Sequence, residues 1–109
     1  MRSRSQEVIA SLVVSTRVQH PAFAELLHRA RPENERVCPD GSIWFELLYD
    51  TQVTSLTDSE RFLLTGTHPG LPFEVWVEEE EYPYLGLILF SCKNLLPMLV
   101  EVVRGATDQ

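Results

Sequence analysis

The sequence predicts an α+β fold: a single domain over residues 1–109, with an antiparallel sheet of about four strands and N-terminal helices and a C-terminal helix packed on it. Three observations predict it. Apolar residues recur at three-to-four spacing as far as Ala30, the period then changes to two from Glu33, and Asp40-Gly41 marks a tight hairpin between alternating runs.

Each element follows in order. Ile9, Leu12, Val13 and Thr16 fall on one helical stripe within residues 6–17, with Ser5 as the expected N-cap and Glu7 in the first turn. The β-branched Val13, Val14 and Thr16 work against that helix. Pro21 suits a first helical position, and Phe23, Leu26, Leu27 and Ala30 repeat behind it until Pro32 ends the second helix. Asp40-Gly41 then predicts a two-residue type I′ turn that sets Cys38 opposite Ile43 and Val37 opposite Trp44. Ile43, Phe45 and Leu47 share one strand face; Trp44, Glu46 and Leu48 share the other.

Thr57-Asp58-Ser59-Glu60 reads as a capping box opening a short helix through about Leu64, with a strand over residues 61–67 as the rival. Phe73, Val75 and Val77 alternate with Glu74, Trp76 and Glu78, as in a half-buried strand. The stretch from Tyr84 to Cys92 is apolar throughout and predicts a strand covered on both faces, a buried helix being the competitor. Asn94 is the expected cap of a C-terminal helix that buries Leu96, Leu99, Val100 and Val103 and stops at Gly105.

At 109 residues the chain is near the commonest domain size and long enough to bury a core without metal or disulfide staples. The longest apolar run, from Leu85 to Phe90, falls far short of the ~20 residues that span a bilayer. With no signal-peptide pattern, the expected location is the cytoplasm, where Cys38 and Cys92 are expected to be small buried thiols, with a disulfide or redox role as the alternative. The net charge of −7 divides unevenly: residues 1–36 carry +2 and residues 37–109 carry −9. That balance argues against nucleic acid, whose phosphates call for a clustered basic surface. It fits either a basic protein partner or head-to-tail pairing of copies.

Catalytic and metal-binding patterns are weak. His68 lies in the Gly66-to-Gly70 loop and is the one residue on which a hydrolase-like enzyme would be built, yet no nucleophile has a recognisable context. His20, His28, His68, Cys38 and Cys92 show no local ligand spacing, so no metal and no cofactor are expected. The specific feature is the pair of tryptophans. Trp44 and Trp76 fall on the nominally polar face of their strands, flanked by Glu46, Glu74 and Glu78. Large apolar rings there need a cover: the chain's own helices, a homodimer or partner interface, or a small ligand held between aromatic walls. The reading favoured is a small acidic non-catalytic interaction protein, an inhibitor, adaptor or accessory regulator, expected to be a homodimer. Its partner surface comprises Trp44, Glu46, Leu48, Glu74, Trp76 and Glu78 with the acidic turn Glu79, Glu80 and Glu81. A small-molecule module using the tryptophans as pocket walls is the alternative.

Overall fold

Helix α1 (Arg4–Thr16) begins where Ser3 and Gln6 satisfy each other. The Ser3 hydroxyl accepts from the Gln6 N–H, and the Gln6 side chain accepts from the Ser3 N–H at 2.9 Å. This capping box fills two of the amide donors orphaned at any helix start. The cap is therefore Ser3, two residues ahead of the expected Ser5. Ser5 lies inside the first turn, buried, and both its N–H and its hydroxyl donate to the Glu35 carboxylate. An anion at the positive end of the helix is favourable and ties α1 to the sheet. The computed structural model of the chain describes residues 3–49, 56–66, 71–78, 83–91 and 96–104.

Helix α2 (Pro21–Arg29) buries Phe23, Ala24, Leu26 and Leu27. It ends three residues before Pro32 and runs straight into strand β1 (Ala30–Val37). Proline restricts the residue before it to extended backbone, so Arg31 already belongs to the strand. Strand β2 (Ile43–Tyr49) pairs with β1 one position away from the expected register: Val37 faces Ile43 and Arg36 faces Trp44. The turn is the cause. Pro39, Asp40 and Gly41 form a three-residue loop in which the Gly41 N–H donates to the Cys38 carbonyl and the Cys38 N–H to the Ser42 carbonyl. Gly41 takes the left-handed backbone (φ +89°), sparing Asp40 the positive φ that a type I′ turn demands. The Asp40 carboxylate accepts from the Ser42 N–H at 2.9 Å, and hydrogen bonds from Ser42 hold its pKa below the usual value. A second irregularity between Glu33 and Arg36, with Asn34 at φ +56°, sets Glu33 opposite Glu46 and Arg31 opposite Leu48.

Helix α3 (Asp58–Thr65) carries the capping box foreseen at Thr57 and Glu60, and the rival strand does not form. Strands β3 (Phe73–Val77), β4 (Tyr84–Phe90) and β5 (Pro97–Arg104) complete one five-stranded antiparallel sheet among the described residues, ordered β1-β2-β5-β4-β3. Here the expectation of about four strands and a C-terminal helix is overturned: the last described element is a strand, and it is central. Leu99, Val100 and Val103 do fit a helical stripe, but Val100, Val102 and Val103 are β-branched and favour a pleated surface. Pairing with β2 on one side and β4 on the other decides the matter, and no local window of sequence contains those partners.

The core lies between the sheet and the first two helices. Ile43, Phe45, Leu47, Val75, Val77, Tyr84, Ile88, Phe90, Val100 and Val102 bury against the α1 and α2 stripes. Gly86 admits α1: a Cβ there would meet the Leu12 Cδ2 at 3.0 Å. The Tyr49 hydroxyl donates to the Pro97 carbonyl at 2.7 Å, fastening the end of β2 to the start of β5, and burial raises its pKa. No helix among the described residues is long and apolar enough to cross a membrane.

Candidate functional site

Antiparallel pairing brings side chains of the same face into rows across the sheet. On the face turned away from the helices, one row reads Arg36, Trp44, Glu101, Leu87 and Glu74. The row toward the β1–β2 turn carries Val103, Leu85 and Trp76; the row on the other side carries Glu33, Glu46, Leu99 and Leu89. Strand β4 alternates between fully buried residues and the half-buried Leu85, Leu87 and Leu89, so its outward side lacks the complete cover expected of it. Every buried apolar residue of α1 and α2 joins the core cluster of the inner sheet face, and that cluster contains none of these outward residues. Among the described residues, α1 and α2 therefore pack on the sheet face opposite the tryptophans.

Trp76 is 56% exposed and Leu48 39% exposed. Trp44 is half-buried, with the Arg36 guanidinium 5.1 Å from its ring centroid. That contact combines cation–π attraction with cover from the arginine stem. Arg31 lies opposite Leu48 and within 3.9 Å of the Glu33 carboxylate. The basic side chains of this face thus sit at its β1 edge beside Glu33, and only carboxylates carry charge in the middle and on the β3 side.

The structure brings together Trp44, Glu46, Leu48, Glu74 and Trp76 on one face, with Glu78 exposed just past the end of β3. Glu79, Glu80 and Glu81 lie outside the described residues, as do His68 and Cys92. Of the remaining candidates for chemistry, His20 packs edge-on against Phe73 with ring centroids 5.4 Å apart, and His28 is exposed on α2. Cys38 is an exposed thiol and not the buried one expected, because it flanks the hairpin loop at the sheet edge. No three His, Cys, Asp or Glu side chains among the described residues gather as a metal site. A cleft of about 170 Å³ lies between the α1–α2 turn and α3, lined by Gln19, His20, Phe23, Glu60 and Leu63. It is smaller than the roughly 300 Å³ at which ligand pockets begin, and neither tryptophan lines it.

Comparisons with protein-family models, with curated proteins and with solved structures found no match.

The outward residues that the sequence analysis missed are Leu85, Leu87, Leu89, Leu99, Glu101 and Val103. Reading β5 as a helix hid the last three and removed the strand that joins the two tryptophans into one surface. The run Val100-Glu101-Val102-Val103 was the available signal, being richer in β-branched residues than a helix favours.

Proposed function

We propose that this chain is a small acidic non-catalytic interaction protein, an inhibitor, adaptor or accessory regulator, that binds a protein partner through the outer face of its sheet. One observation carries the reading: Trp44, Trp76, Leu85, Leu87, Leu89, Leu99 and Val103 form an apolar face with no described helix over it. An apolar patch of this kind, with charge at its rim and one carboxylate within it, is characteristic of interaction surfaces, and tryptophan is enriched among the residues that dominate binding energy. The size is adequate. Five strands about 4.8 Å apart and roughly 24 Å long project to about 580 Å², comparable with the ~800 Å² of accessible surface that each partner contributes to a standard interface.

Affinity capture from the native host with paired variants tests this. Trp76→Ala removes an exposed ring from the face, and Leu63→Ala removes a still more exposed side chain from α3, away from it. A partner held by the wild type and by Leu63→Ala, but weakened roughly tenfold or more by Trp76→Ala, is the expected result. Equal recovery by all three proteins would overturn the proposal.

A further inference from the structure

We propose that the partner is basic at the point of contact: an arginine or lysine side chain of the partner, set within an apolar surround, seats over Glu101 between Trp44 and Leu87. The inference rests on the docking reading above and assigns its chemistry.

Glu101 occupies the middle of the outer face, on the central strand. Trp44 and Leu87 are its neighbours across the ladder, and Leu99 and Val103 lie two positions away along the strand. The carboxylate is exposed and has no ion-pair partner among the described residues. While the face is open, water solvates it. Once a partner covers the apolar ring that water is lost, and an unpaired carboxylate in a desolvated contact is heavily penalised unless a cation meets it.

Three further observations agree on the sign of the missing charge. Glu46 lies diagonal to Glu101, about 7–8 Å away by sheet geometry, and directly opposite Glu33. Like charges facing each other across a ladder are destabilising on their own. Trp44 already holds the Arg36 guanidinium at 5.1 Å, so this ring is placed to attract a cation. The face carries Glu33, Glu46, Glu74 and Glu101 against Arg31 and Arg36, within a chain of net charge −7, which steers a basic protein toward it. The carboxylate at the centre of the face disfavours a second copy as the occupant. Two such faces docked about a two-fold axis near β5 would bring their Glu101 carboxylates together with no cation between them.

The probe is the tripeptide Ac-Leu-Arg-Leu-NH2, with Ac-Leu-citrulline-Leu-NH2 as its neutral isostere, titrated to about 10 mM against ¹⁵N-labelled protein by NMR, a range that captures millimolar affinity. The arginine peptide is expected to shift the Trp44 indole and the Leu87 and Glu101 amides. Glu101→Gln is expected to weaken it about tenfold, while Glu25→Gln, the same charge change on the exposed side of α2, leaves it unaltered; the spectra themselves report that each variant is folded. No shifts at the highest concentration, equal binding of the citrulline peptide, or equal weakening by both variants would overturn the cation seat. So would a doubled mass by light scattering with concentration-dependent shifts of these residues in the absence of peptide, which would assign the face to a second copy. Failure of the docking reading is separate: it appears as capture indifferent to Trp76→Ala.

Discussion

Val102→Asp abolishes cooperative folding, whereas Val103→Asp leaves a folded protein. Val102 is fully buried on the inner face of β5, paired with Ile43 on one side and Gly86 on the other. An aspartate there either stays charged without a partner or takes up a proton to become neutral, and still leaves a polar group unsatisfied in the core. The cost is comparable with the whole stability of a domain of this size, about 5–15 kcal/mol. Val103 points outward and is half-buried among Leu85 and its strand neighbours, so its replacement costs about 1–2 kcal/mol. Thermal melts followed by circular dichroism measure both. A C-terminal helix would reverse the ranking, because a 3.6-residue period puts Val103 inward with Leu99 and Val100 and leaves Val102 in solvent.

Phe23→Ala lowers stability by about 3–5 kcal/mol, the range for removing a buried aromatic ring that its surroundings cannot replace. Phe23 is 1% exposed. Its ring meets Phe73 of β3 edge-on, with centroids 5.2 Å apart and planes at 84°, and lies 6.0 Å from the ring of Phe90 on β4. One side chain thus clamps α2 to two strands, and aromatic pairs of this geometry add to simple area burial. The expected result is a denaturant midpoint shifted far down with an unchanged slope. A loss under about 1 kcal/mol would mean that α2 does not dock on β3 and β4 as described.

How much of this was legible in the sequence depended on whether the deciding interaction was local. The α3 capping box needs Thr57 and Glu60 three residues apart, and both were recognisable. The inward and outward sides of β3 follow from strict alternation over five residues, and the structure keeps them. The hairpin failed by one residue because Pro39 extends the loop: its fixed φ starts a type I turn, and Gly41 then absorbs the positive φ as a bulge. The first helix began earlier than expected because Ser3 and Gln6 also satisfy a capping box, with Ser5 drawn instead to Glu35, thirty residues away. β5 was the costly miss. Its sequence fits two periods, and the choice between them belongs to β2 and β4. The candidate site inherited that miss: both tryptophans and their flanking glutamates were visible, but the apolar surface between them, and Glu101 at its centre, were not.

The claim on which the functional account depends is that the outer sheet face is open in the free protein. In a Trp44→Phe variant Trp76 is the only tryptophan, so its fluorescence reports that face alone. A red, water-like emission readily quenched by acrylamide is expected, at protein concentrations where light scattering gives the mass of a single chain. A blue emission resistant to quenching would contradict it, because something would then already cover the surface on which the partner is proposed to dock.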